Sequence, residues 1–127
     1  MIIVNRSDLL GSARDAFGLG WSSLRKLVKT DGIGFSINET IVKAGVTLTL
    51  EYKNHLEGSY CVSGSGRVTD HAIGSVAEIK AGVLYALDQH DHHSLTVDEG
   101  QDMFLISTFN PALQSDEVHR ADGSYSA

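Results

Sequence analysis

A carboxylate, a phenol and an imidazole are spaced so that one metal ion could take all three: Glu57, Tyr85 and His93. Glu57 ends the run Tyr52-Lys53-Asn54-His55-Leu56-Glu57. Tyr85 opens a second run that passes through Asp88, His90, Asp91 and His92 to His93. Strand alternation places His55 and Glu57 on one side, and His93 on the same side as Leu95 and Val97, an apolar and therefore inward face. An inward Glu, Tyr and His are costly to bury without a shared partner, and a divalent cation would offset that cost for all three. Mixed oxygen and nitrogen donors suit iron, with manganese or zinc also possible, and three protein ligands leave positions open for a substrate. A second reading needs no metal: the His90–His93 stretch as a solvated turn, Tyr85 as a core phenol with its hydroxyl satisfied, and Glu57 as a turn carboxylate. Residue types alone leave the two readings level.

The elements that must position these groups read as short strands. Thirteen glycines and one proline punctuate the chain, and from residue 33 onward β-type segments alternate with turn signals. Gly34–Thr40 puts Phe35 and Ile37 on one face. Ile41–Tyr52 is interrupted at Ala44-Gly45, after which Val46, Leu48 and Leu50 share one face and Thr47, Thr49 and Glu51 the other. Tyr60–Val62 runs into Gly64-Ser65-Gly66, a tight hairpin signal. Arg67–Thr69, Val76–Ile79, Val83–Leu87, Ser94–Val97 and Met103–Phe109 complete an all-β sandwich or barrel pattern. One helix is expected over Ser7–Phe17, with Ser7 as N-cap and Leu9, Leu10, Ala13 and Phe17 on one side. The polar stretch Ser115–Ala127 is expected to lie over the barrel as a tail.

Composition narrows the partners. The chain has 127 residues, 42% of them hydrophobic, the size of one domain with a real core. Net charge is −6 and the ten basic residues are scattered, which argues against nucleic acid, since phosphate binding needs a concentrated basic face. No apolar run approaches a membrane span, and Asn5, Arg6, Ser7 and Asp8 leave no room for a signal segment, so no membrane association and a cytoplasmic location are expected. The single cysteine, Cys61, fits a reducing compartment and reads as a buried structural thiol.

Two spacings resemble the paired motifs of the cupin superfamily. Glu57 is followed by Gly64, and Gly74, Lys80, Gly82 and Tyr85 stand where the second motif has Gly, Pro, Gly and His. Tyr85 thus replaces a histidine, and Glu51 and Lys53 occupy the places of the first motif's histidine pair. A closer resemblance covers nearly the whole chain. It is carried by Trp21-Ser-Ser-Leu-Arg25, Asp31-Gly-Ile-Gly-Phe-Ser36, Glu39-Thr40, Tyr52–Glu57, Tyr60-Cys-Val62, Tyr85-Ala-Leu-Asp88, His90-Asp91 with His93, Phe109-Asn-Pro111 and Glu117-Val-His119. On these segments the chain resembles the ectoine synthase family.

That resemblance implies a single-domain cupin (jelly-roll) barrel with a short N-terminal helix. It implies cyclisation of N4-acetyl-L-2,4-diaminobutyrate to ectoine, in which the free α-amine attacks the acetamide carbonyl and water is lost. It implies Fe(II) held by Glu57, Tyr85 and His93, and a substrate pocket lined by Trp21, Arg25, Thr40, Tyr52 and Phe109. Trp21 and Phe109 would form apolar walls, Thr40 and Tyr52 would hydrogen-bond the substrate, and Arg25 would pair with its carboxylate. His55, Glu117 and His119 match positions that would serve proton transfer or support. Ser107 stands where the family usually has cysteine, and Ala112 where it usually has proline, and Ser107 is expected to line the pocket. The family's habits and exposed strand edges imply a homodimer. A cupin oxygenase or isomerase, and a solute-binding module without catalysis, are the competing readings. The missing histidine pair argues against the first, and a three-ligand open metal set against the second.

Overall fold

A computed structural model describes residues 1–115, 118 and 123–125. Ten strands form two antiparallel sheets. The larger contains β1 (Asp15–Gly18), β2 (Trp21–Leu27), β3 (Ser36–Val42), β10 (Met103–Asn110), β5 (Leu56–Ser63) and β8 (Leu84–Leu87), side by side in that order. The smaller contains β4 (Thr47–Glu51), β9 (His92–Val97), β6 (Ser65–Asp70) and β7 (Val76–Lys80). Their inner faces meet over a core of Val42, Cys61, Ile79, Leu95, Val97, Met103 and Leu105. A second cluster of Leu50, Tyr52, Leu87, Phe109, Leu113 and Tyr125 closes the other end. Cys61 is buried, as its apolar neighbours implied. Val46, Leu48 and Leu50 do turn inward while Thr47 and Thr49 face out.

The helix is shorter than the sequence pattern suggests. Helix α1 spans only Arg6–Leu9, and its cap is Asn5, whose side chain accepts a hydrogen bond from the Ser7 amide at 3.1 Å. Gly11 then takes a left-handed φ of 77°, and the Asp15 carboxylate accepts from its amide at 3.0 Å. That turn ends the helix, and Asp15–Gly18 pairs instead with Trp21–Leu24 as β1. The expected apolar side does not exist: Leu10 and Phe17 are both exposed. Trp21–Leu27, which no alternation marks, is a strand because its neighbours β1 and β3 supply its partners.

The turn at Gly64 is real but joins no hairpin. β5 and β6 lie in different sheets, so the chain turns a corner there. Gly64 has φ +87°, and a Cβ on it would stand 2.6 Å from the Asp102 carbonyl oxygen, which only glycine avoids. Phe35, just before β3, and Ile37 within it do share a side, but it is the outer one. Ser36 and Asn38 turn inward and are buried.

Candidate active site

Sheet register assembles the site. Arg25 on β2 pairs with Asn38 on β3, Asn38 with Ser107 on β10, Ser107 with Ser59 on β5, and Ser59 with Tyr85 on β8. Directly opposed residues in a sheet point to the same side, so these five form one transverse polar row on the inner face. The adjoining row carries Ser36, Phe109, Glu57 and Leu87. Across the barrel, β9 presents His93 from the smaller sheet, paired with Leu50 of β4.

Between the sheets lies a cavity of about 440 Å³, mouth included, whose walls include Trp21, Thr40, Tyr52, Glu57, Tyr85, Ser107 and Phe109. It gathers seven of the residues singled out from sequence. His93 borders a neighbouring cavity that shares Tyr85 as its wall, along with Asp70, Asp88 and Asp91. The His93 ring lies 5.8 Å from that of Tyr52. His55 is buried at the aromatic end, 6.1 Å from Phe109 and 6.0 Å from Tyr125. Arg25 lies behind the wall with no exposed surface. Its Nη1 donates to the carbonyls of Gln114 and Ser115, and its guanidinium sits 5.7 Å over the Tyr125 ring. Glu117 and His119 fall outside the described residues.

Of the histidine-rich stretch only His93 points inward. His90, at a φ of 53°, hydrogen-bonds through Nδ1 to the carbonyls of Tyr52 and His55 at 2.8 and 3.1 Å, and so holds the loop that presents both residues. His92 faces outward against His71. His93 uses Nδ1 on the Asp91 carbonyl at 2.8 Å, which leaves Nε2 as the nitrogen for a ligand.

Burial governs the electrostatics. It raises the Glu57 carboxyl to about 7, against hydrogen bonds from Ser59 and Ser107 that pull the other way. It also lifts Tyr85 and Tyr52 above the usual phenol range, helped in both cases by the Glu57 charge. His93 is pushed down by burial, opposed by its bond to Asp91. A buried carboxylate, a phenol and a neutral imidazole with no cation among them form an electron-rich set that a divalent ion would fit. Among the described residues no three His, Cys, Asp or Glu side chains form a metal group on their own; the phenol of Tyr85 is needed.

Sequence reasoning missed Ser23, Ser59 and Tyr125. The serines carry no signal until register places them in the cavity wall. Tyr125 stands out only as the one aromatic of a polar tail. It is buried, stacks on Tyr52 at 5.3 Å and packs edge-on to Phe109 at 5.5 Å. Gly123 makes this possible: with φ +82° its carbonyl takes the Glu51 amide, and a Cβ there would press within 3.0 Å of Leu50 Cα.

Two antiparallel sheets closed over a polar cavity define a small cupin-fold protein. The chain superposes on an RmlC-like cupin from Shewanella frigidimarina with a TM-score of 0.63 at 21% identity, covering 76% of this chain and 80% of the other. Residues 1–127 match the ectoine synthase family, and the chain belongs to it. It is 50% identical to the L-ectoine synthase of Desulfosudis oleivorans, over 98% of this chain and 96% of the relative. It is 46% identical to that of Alkalilimnicola ehrlichii, over 98% and 94%. The crystal structure of ectoine synthase from P. lautus superposes with a TM-score of 0.88 at 36% identity, covering 97% and 87%. The family makes this chain an enzyme of the hydro-lyase class.

Proposed function

We propose that the chain closes N4-acetyl-L-2,4-diaminobutyrate into ectoine in the cavity between the two sheets, with Fe(II) held by Glu57, Tyr85 and His93. What supports this reading is that Glu57 and Tyr85, from β5 and β8, line one cavity, and Tyr85 and His93, from β8 and β9, line its neighbour, in a chain that matches the family over residues 1–127. Bound there, iron would act as a Lewis acid on the acetamide carbonyl, a poor electrophile without such help.

The chain's own residues do the rest. Trp21 and Phe109 supply flat apolar walls for the acetyl group and the short methylene chain. Thr40 and Ser107 offer hydroxyls from the same sheet's wall. Arg25, buried behind that wall, draws the substrate carboxylate toward β2 and β3. Such a cavity folds the flexible substrate so that its α-amine meets the carbonyl carbon. The new C–N bond forms as the C–O bond breaks, and both amine protons leave with the carbonyl oxygen as water. Tyr52 is protonated at neutral pH, so its Oη donates toward the departing oxygen. His55 supports proton exchange beside it, and Glu117 and His119 are assigned to the same function from the tail.

A homodimer is also proposed. The outer face of the larger sheet exposes Leu56, Tyr60, Val62 and Leu84, an apolar surface suited to a second copy. No described helix is long and apolar enough to cross a membrane, and a cytoplasmic location fits the lone thiol.

The test is anaerobic turnover of N4-acetyl-L-2,4-diaminobutyrate with Fe(II), followed by chromatography. Ectoine formed without oxygen uptake is expected. Folded, iron-loaded protein that makes none would overturn the assignment, and oxygen consumption would mark an oxygenase.

A further inference from the structure

The polar row contains two serines whose hydroxyls meet each other as well as line the cavity. Ser59 and Ser107 are each 1% exposed, face each other across β5 and β10, and share a hydrogen bond of 3.0 Å between their hydroxyls. Thr40 Oγ1 donates to Ser107 Oγ at 3.3 Å. Ser59 is the register partner of Tyr85 and stands two residues beyond Glu57 on the same inner face, and Glu57, Ser59, Tyr85 and Ser107 line one cavity. The cluster therefore links the wall that carries Thr40 to two of the three groups assigned to the metal.

Proton counting gives the cluster a direction. A hydroxyl has one proton to give and two lone pairs to receive with, and an ionised carboxylate can only receive. Thr40, Ser107, Ser59 and Tyr85 bring four hydroxyl protons, and Glu57 is the acceptor at the centre. Ser107 receives from Thr40, and the bond between the serines uses one of their two protons, which leaves the other for Glu57. No apolar residue of similar size could do this, and a larger polar one would fill the cavity.

We propose that Ser59 and Ser107 are positioning residues, a hydroxyl pair that aims the Glu57 carboxylate and the Tyr85 phenol into the cavity and ties both to Thr40 on the substrate wall. This rests on the metal assignment above. Groups that orient metal ligands typically contribute roughly 10–100-fold to metal affinity or activity. Ser59 neighbours both ligands in the sheet, so its loss falls mainly on the metal. Ser107 joins Glu57 to Thr40, so its loss falls on the substrate as well.

The experiment is anaerobic Fe(II) titration calorimetry on iron-free protein, for the parent, Ser59→Ala, Ser107→Ala and the double variant, beside kcat and KM at saturating iron. Circular dichroism and urea midpoints establish that each variant folds. Expected are a roughly 10–100-fold loss of Fe(II) affinity for Ser59→Ala, a rise in KM for Ser107→Ala beyond that of Ser59→Ala, and a double variant little worse than the worse single, since the two act as one unit. Should an alanine variant unfold, Ser59→Cys keeps nearly the size but donates weakly, and a loss of at least about threefold in Fe(II) affinity is then expected. Single variants within twofold of the parent in both affinity and KM would overturn the proposal and leave the metal assignment standing. A parent that binds no Fe(II) would overturn both.

Discussion

The two sheets of the barrel are built in opposite senses. The smaller turns Leu48, Leu50, Val68, Ile79, Leu95 and Val97 inward and shows solvent a surface of Thr47, Thr49, Arg67, Glu78 and His92. The larger turns Ser23, Arg25, Ser36, Asn38, Ser59 and Ser107 inward, all buried, and leaves Tyr60, Val62 and Leu84 outside. The smaller sheet turns mainly core inward, with His93 its one site residue, and the larger supplies the rest of the site. Because a buried polar group costs free energy unless it is bonded, the larger sheet gives up stability over much of its inner face. That loss is offset by the apolar cluster at one end of the barrel, where Val42, Cys61, Met103 and Leu105 meet the smaller sheet.

If this division is right, substitutions on the two inner faces should fail differently. The largest effect belongs to Glu57→Ala, which should lower ectoine formation by about 10³-fold or more while the urea midpoint holds or rises. A variant that kept a tenth of the activity would show that the larger sheet does not carry the site.

On the smaller sheet, Ile79→Ala should cost about 4 kcal/mol in urea unfolding, as a fully buried aliphatic side chain is lost. Turnover per folded molecule should stay near that of the parent.

The third effect is pH-dependent and separates site from core in the iron-free protein. The Glu57 carboxyl titrates at about 7 when folded and near its ordinary 4.5 when unfolded. A raised folded value means that its contribution is fully present below about 4.5 and is lost as pH rises to about 7. Chelator-treated protein should therefore lose about 3 kcal/mol of stability over that window from this group. Glu57→Gln should flatten the difference, and equal slopes for the two proteins would contradict it.

The smallest effect is expected on the outer face of the smaller sheet. Thr96→Ala, which removes a 3.0 Å bond to Thr47 on the solvent face, should change stability by less than about 0.5 kcal/mol. On the larger sheet's outer face Tyr60→Asp should instead shift sedimentation toward a monomer without loss of fold. A monomeric parent would remove the proposed pairing.

The contrast also explains what could be read from the chain. The smaller sheet was legible because its alternation obeys the usual rule, apolar in and polar out: Val46 to Leu50 and His93 to Val97 point where their pattern says. The larger sheet breaks that rule, so the face shared by Phe35 and Ile37 is an outer one, and Trp21–Leu27 gave no strand signal. The helix was overread because Leu9, Leu10, Ala13 and Phe17 happen to fit a helical period, although Gly11 turns the chain before a second turn can form. Glu57, Tyr85 and His93 were legible as chemical types. Ser59 was not, because a serine acquires meaning only from the strands on either side of it.

The row from Arg25 to Tyr85 crosses four strand pairings. Slip any one of them by a single residue and every side chain beyond it changes face: a serine or arginine goes to solvent, and an outer isoleucine or tyrosine enters the cavity. A misregistered molecule is thus not a slightly worse catalyst but an inactive one with greasy residues in its pocket. Correct assembly and competence for chemistry are inspected in the same event, with no separate checkpoint needed.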